Sequence, residues 1–122
     1  MIKILLLKDK EKIEELCKND GVGYNDETMC YCCDNNGEEL GYCLFDNKTE
    51  YLQINSIYIK DIHDNGLYDG LIRSVLGYAR ENNINDVVFH DYMDENKLIA
   101  FGFIKDNSDK HIAVNDFLMK KC

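Results

Sequence analysis

"YIKDIHDNGLYDGLIRSVL", Tyr58 to Leu76, runs from an alternating apolar segment through a short polar turn into a segment with helical spacing. From Leu67 onward, Leu71, Val75 and Ala79 continue one apolar stripe with Tyr68, Ile72 and Leu76 beside it, which predicts a helix over 67–81. A strand that turns directly into a helix leaves the first N–H groups of the helix without intrahelical partners, and the macrodipole makes that end attractive to anions. This junction carries Asp61, Asp64 and Asp69, with no Lys or Arg between Lys60 and Arg73. What an anion-attracting turn does when it is lined with aspartates is the question the chain poses.

Upstream of the turn, "TMCYCC" and "ELGYCLF" flank "DNNGE", Asp34 to Glu38, and both Asn36 and Gly37 tolerate the positive φ of a two-residue hairpin turn. In that register the numbers of paired residues sum to 73, which sets Cys30 opposite Cys43 and Cys33 opposite Leu40. A second turn at "DNKTE", Asp46 to Glu50, leads into "YLQINSIYI", completing a three-stranded antiparallel meander. Before it, "MIKILLLKD" reads as a strand, Asp9 as the cap of a helix from Lys10 to about Lys18, and Asn19 to Glu27 as a loop. Downstream, Asn82 and Asn83 stop the long helix, "INDVVFH" is a short buried strand parallel to the central one, and "MDENKLIAF" is a short helix. The tail "HIAVNDFLMKK" alternates as a final strand. The reading is a single α+β domain over 1–122.

Composition fits that reading and narrows the partners. With 45% hydrophobic and 30% charged residues in 122, the chain is long enough for one core. A net charge of −9, from 14 Lys+Arg against 23 acids, disfavours nucleic acid and anionic membrane, because either needs a cationic stripe. A basic or neutral small molecule suits it better. The early apolar run Ile4 to Leu7 is too short for a secretion signal or a bilayer span, so the expected location is cytoplasmic. The six cysteines stand at 17, 30, 32, 33, 43 and 122, and the C-x-x-C spacing of Cys30 and Cys33 falls inside the strand-like "CYCC". Cys30 and Cys32 should face one side of their strand and Cys33 the other, so packed, reduced thiols are expected rather than a metal site or an obligatory disulfide.

The order of elements, together with several local stretches, resembles the GNAT family of N-acetyltransferases (acyl-CoA N-acyltransferases). "CCDNNGEELGYCLF" resembles the family's second and third strands and "LQINSIYI" its fourth. "HDNGLYDGLI" stands where the family has its Arg/Gln-x-x-Gly-x-Gly/Ala loop. "FGF" resembles the Gly-Phe after the fourth helix, and "FLMKKC" the common Met-x-Lys ending. With only about ten residues between the first helix and the second strand, the family's second helix is reduced or missing here.

The resemblance implies a mixed sheet flanked by helices and direct transfer of an acetyl group from acetyl-CoA to an amine on a small molecule or peptide. It implies that Ile57, Ile59, His63, Asp64, Asn65, Gly66, Leu67 and Tyr68 hold the cofactor, the loop N–H groups cradling its pyrophosphate. Gly66 matches the first motif glycine, and a β-branched residue there is expected to abolish binding. His63 replaces the Arg/Gln. Tyr68 replaces the small residue, so its ring must turn toward the core, and Tyr68→Gly is expected to tighten acetyl-CoA binding or leave it unchanged, with a helix penalty of about 1 kcal/mol in stability. An aspartate at about 6 Å from a phosphate would repel it by ~1 to 3 kcal/mol.

The family's acid position falls on Leu98 and its strand carboxylate on Gln53, leaving Glu50 as the candidate base and Tyr92, with Tyr58, as the candidate acid. A GNAT-fold binding or oligomerisation module without catalysis is the alternative, and a homodimer stays open.

Overall fold

The computed structural model describes residues 2–91, 93–106 and 109–119. In chain order the elements are β1 (Ile2–Leu6), α1 (Lys10–Asp20), β2 (Thr28–Asn35), β3 (Glu38–Asn47), β4 (Leu52–Ile59), α2 (Asn65–Glu81), β5 (Asp86–Phe89), α3 (Glu95–Ala100), β6 (His111–Ala113) and α4 (Val114–Met119). The strands form one six-stranded sheet in sequence order, antiparallel throughout except for the parallel pair β4–β5. One helix, α1, lies between β1 and β2, so the family's second helix is absent from the described chain.

The β2–β3 turn forms at Asn36 (φ 55°) and Gly37 (φ 90°), as its chemistry dictates. Its register holds for two pairs, Asn35 with Glu38 and Asp34 with Glu39, and then slips by one residue. Cys33 therefore faces Gly41 and Cys30 faces Leu44, correcting the expected Leu40 and Cys43 partners. The bulge absorbs one residue of β3 at Leu40. Just beyond it, a Cβ on Gly41 would stand 2.6 Å from the Tyr58 carbonyl oxygen, so β3 approaches β4 there as only glycine permits.

Alternation along these strands builds two cores. Cys33, Cys43, Phe45, Leu52 and Ile54 point to the face covered by α2, whose Leu71, Ile72, Val75, Leu76 and Ala79 are fully buried. Cys30, Tyr42 and Leu44 point to the opposite face, where α1 supplies Ile13, Leu16 and Cys17. Cys17, Cys30, Cys32, Cys33 and Cys43 are free thiols, with Cys30 and Cys33 on opposite faces as their spacing requires. Among the described residues no three His, Cys, Asp or Glu side chains converge as metal ligands, and no helix is long and apolar enough to cross a membrane.

Two boundaries differ from the sequence reading. The tail is a strand only from His111 to Ala113; it then turns into α4. Asn85, at the start of β5, accounts for this: its carbonyl accepts from Val114 N (2.7 Å) and its Oδ1 from Asn115 N (2.8 Å). That caps the helix from a neighbouring strand and leaves Val114, Phe117 and Leu118 at helical spacing toward the core. Helix α1 continues to Asp20, two residues past the expected end, because Gly21 closes it at φ 69° while Val22 N bonds the Cys17 carbonyl at 3.0 Å.

Candidate acyl-transfer site

β4 carries a bulge of its own. Leu44 pairs with Ser56 and Phe45 with Ile54, so Asn55 is the extra residue. On its other edge β4 pairs with β5 only through Leu52, Gln53 and Ile54, and the bond from His90 N to the Ile54 carbonyl (2.8 Å) is the last between them. Beyond that point the strands part. Lys60 N donates to Leu40 O at 2.9 Å, so by alternation Tyr58 and Ser56 turn their backbone groups toward β3, and Ile57 and Ile59 turn theirs toward the side β5 has left.

The parting opens a cleft of about 410 Å³ lined by Asp20, Val22, Asn55, Ser56, Ile57, Tyr58, Tyr68, Met93, Asp94 and Lys97. A second hollow of about 260 Å³ shares Val22 and Asn55 with it and adds Gln53, Asp46 and His90. Asn55 is buried and its Oδ1 accepts from Gln53 Nε2 at 2.9 Å.

Asp20 is fixed on the cleft wall from two strands. Its Oδ1 accepts from the Tyr42 hydroxyl at 2.6 Å and its Oδ2 from Ser56 Oγ at 2.8 Å. Burial, and then the hydrogen bond to Asp20, push the Tyr42 phenol well above its usual range, so it remains a donor to the carboxylate. Tyr58 stacks on Tyr42 with centroids 5.2 Å apart and forms a half-exposed apolar wall beside this carboxylate. The sequence reading left Asp20 in a loop. Applying the glycine C-cap rule to Gly21 would have placed it on the last turn of α1.

Tyr68 is 4% exposed and turned to the core, its ring edge-on to Phe101 at 5.0 Å and beneath Lys97 Nζ at 5.2 Å. Its hydroxyl is the buried side-chain oxygen without a hydrogen-bond partner among the described residues. Burial, with smaller contributions from Cys43 and Asp94, raises its pKa and keeps it protonated. An orphaned donor at a cleft wall is the kind of feature that marks a functional site.

The turn answers the opening question differently from the cleft. Asp61 Oδ1 accepts from His63 N (3.0 Å), and Asp64, the N-cap of α2, accepts through Oδ1 from Leu67 N (3.0 Å). Asp64 N bonds Asp61 O (2.9 Å), Asn65 N bonds His63 O (2.9 Å) and Tyr68 N bonds Asp64 O (3.2 Å). Of the six N–H groups from His63 to Tyr68, only that of Gly66 has no such bond among the described residues. Gly66 does not take the positive φ expected of a motif glycine, and a Cβ there would meet only Asp64 Oδ1 at 3.7 Å.

Glu50 lies exposed in the turn before β4 and lines neither hollow. Tyr92 lies outside the described residues, as does most of the Met-x-Lys ending. Leu98 is fully buried in the core.

No known family profile matches the chain, and no curated protein matches it in sequence. Solved structures do match. An acetyltransferase candidate of Exiguobacterium sp. 255-15 superposes with a TM-score of 0.67 over 100% of this chain and 99% of its own, at 9% identity. The ribosomal-protein-alanine N-acetyltransferase of Brucella melitensis biovar Abortus 2308 gives 0.59 over 83% and 88%, at 16% identity. Escherichia coli YhhK bound to coenzyme A gives 0.57 over 86% and 88%, at 16% identity. The chain has the GNAT fold. At these identities the likeness concerns the fold.

Proposed function

We propose that this GNAT-fold chain transfers an acyl group from a CoA-type thioester to an amine in the cleft between β4 and β5. The observation that carries the reading is the Asn55 bulge with the loss of pairing after Ile54, which opens a backbone edge beside a fixed carboxylate. Solved neighbours support the class of reaction, and YhhK with its coenzyme A supports a CoA-type donor.

A CoA-type donor has two parts to fit, an amide-bearing arm and a diphosphate. The arm fits: Ile57 and Ile59 offer backbone donors and acceptors to an extended chain, as an edge strand does to an added strand. The diphosphate does not fit the turn, where the chain's own oxygens occupy five of the six N–H groups from His63 to Tyr68 and leave that of Gly66. When bound, the thioester supplies an acyl carbon open to a nucleophile. Asp20 accepts the proton of the incoming ammonium, and Tyr42 and Ser56 hold the carboxylate in place for it. The amine nitrogen bonds to the acyl carbon, the C–S bond breaks, and the sulfur leaves with the electron pair to end as a thiol. Tyr68 is the protonated hydroxyl of the cleft wall from which that proton can come, and the second proton that the nitrogen sheds on becoming an amide restores it. The hollow beside Asn55, with Gln53, Asp46 and His90, suits a polar or cationic acceptor. Asp20 and Tyr68 replace Glu50 in this scheme.

The occupied turn favours a second reading, a GNAT-fold module that binds without transferring. Amine-dependent thiol release from S-acetyl thioesters separates the two. Release that requires both the amine and Asp20 supports transfer. No release with any acceptor, and no binding by calorimetry at millimolar thioester, leaves the module.

A further inference from the structure

We infer that the acyl donor is a thioester on a pantetheine arm that ends before the nucleotide diphosphate, an inference that rests on the acyl-transfer reading above. Three observations meet at the turn. The carboxylates of Asp61 and Asp64 already accept from the N–H groups of His63 and Leu67, and backbone carbonyls take those of Asp64, Asn65 and Tyr68. An incoming diphosphate would have to displace two carboxylates from the donors it needs and remain beside them.

The neighbouring cations are committed elsewhere. Lys60 pairs with Glu38, Arg73 Nε bonds Asp69 Oδ2 at 2.7 Å while its guanidinium lies over Phe103 and Phe117, and Lys97 sits over the Tyr68 ring. Diphosphate recognition relies on several charge-assisted bonds from cations or free N–H groups, and among the described residues the turn keeps only the Gly66 N–H and the exposed His63 ring for it. The field of the whole molecule adds to this, since a chain of net charge −9 repels a polyanionic nucleotide more than an uncharged arm.

The arm end is the reverse. The cleft of about 410 Å³ lies within the range of small-ligand sites and is lined by Ile57. The backbone groups of Ile57, and of Ile59 beyond the lining, are turned by alternation toward the side β5 has left, where an extended amide chain can pair with them. The two ends of the site are therefore built for different ligands: one for an amide-bearing thioester, the other for no phosphate at all. The transfer itself is unchanged. The ammonium proton passes to Asp20, the amine nitrogen attacks the acyl carbon, the C–S bond breaks, and pantetheine leaves as its thiol with a proton from Tyr68, which the second proton shed by the nitrogen restores.

The test compares S-acetylpantetheine with acetyl-CoA on the native chain, by calorimetry and by amine-dependent thiol release. The expected result is that the two bind within about threefold of one another, because the nucleotide adds no contact. Acetyl-CoA tighter by about thirtyfold or more overturns the inference and leaves the transfer reading standing. Binding and release with neither donor removes both, so the two failures are distinct.

A second arm opens the turn. Asp61→Ala with Asp64→Ser removes both carboxylates and keeps a helix cap, and is expected to move the affinity ratio toward acetyl-CoA by about tenfold. Asp61→Ala alone, which frees the His63 N–H, replaces it should the double variant not fold, with a shift in the same direction. A ratio unmoved in a folded variant overturns the inference.

Discussion

Two stretches of the chain, Asn55 to Ile59 and Asp61 to Tyr68, face the same difficulty and resolve it in opposite ways. Each has backbone groups without a partner from regular structure: on β4 because β5 departs, at the turn because a helix begins. Along β4 the chain adds Asn55 as an extra residue and leaves the edge at Ile57 facing a cleft. At the turn it bends Asp61 and Asp64 back onto the N–H groups of His63 and Leu67. Buried or half-buried backbone groups need partners, so the open edge is the place where an outside ligand can supply them, and the turn is not. A glycine before a helix is thus weak evidence for an anion site until the bonds of its N–H groups are counted.

The largest expected effect tests the hinge between these stretches. Tyr68 follows the turn but its ring lines the cleft and packs on Phe101 in the main core. Tyr68→Gly therefore removes a buried aromatic side chain, a loss of about 3–5 kcal/mol, besides the helix penalty of about 1 kcal/mol expected from sequence. Urea unfolding measures it, and a loss near 1 kcal/mol would place the ring outside the core. Tyr68→Phe isolates the hydroxyl. Stability should stay level or rise by up to about 1 kcal/mol, because an unpaired buried group is removed, while transfer slows by about tenfold or more.

Next comes Asp20→Asn. The amide keeps an acceptor oxygen for Tyr42 or Ser56 but cannot take the ammonium proton, so transfer should fall by about 100-fold with thioester affinity little changed. Asp61→Ala, at the turn, should leave the transfer rate within about threefold. If the two variants slow transfer equally, the comparison between cleft and turn collapses.

A pH series probes the support beneath the cleft. Cys17 lies under the α1 terminus that carries Asp20, and burial, followed by Asp46, Asp20 and Glu14, raises its thiol from 9.0 to about 11. Cys30 faces it from β2, and its own thiol is raised further by burial. A folded value above the unfolded one gives stability that is full below about 9.0 and is lost as pH rises through about 11, since the unfolded chain releases the proton first. Thermal melts between about pH 8 and pH 11 should show that decline, and Cys17→Ala should make it shallower while the share from Cys30 and the other buried thiols remains.

Most of the fold could be read from residues whose chemistry is local. Asn36-Gly37 forced a hairpin, the alternation of "LQINSIYI" marked β4, and the Leu67 to Ala79 stripe marked α2. Each miss depended on a distant group or an uncounted bond. The β2–β3 and β3–β4 bulges answer to packing between strands, with Gly41 pressed against the Tyr58 carbonyl, and no single stretch encodes them. α4 needed its cap from Asn85, about thirty residues earlier in the chain. Asp20 came into view only once Gly21 lengthened α1, whereas Glu50 is a candidate through the resemblance, whose strand carboxylate falls on Gln53. The direction of the Tyr68 ring was legible, because a helix stripe fixes which side faces the core.

The smallest effect separates an open cradle from a closed turn most directly. Gly66 lies in the first turn of α2 without a positive φ, and a Cβ there reaches only ordinary contact with Asp64 Oδ1 at 3.7 Å. In a closed turn the glycine serves no backbone need, so Gly66→Ala should stabilise the chain by about 0.5–1 kcal/mol through helix propensity and the lower entropy of the unfolded chain. In an open cradle the added methyl would stand where a phosphate has to approach, and any gain in stability would come with weaker acetyl-CoA binding. Unfolding midpoints measured with and without millimolar acetyl-CoA distinguish the two. The closed turn predicts the same upward shift in both, whereas a ligand-induced shift present in the native chain and lost in Gly66→Ala would return the phosphate to the turn and the aspartates to its rim.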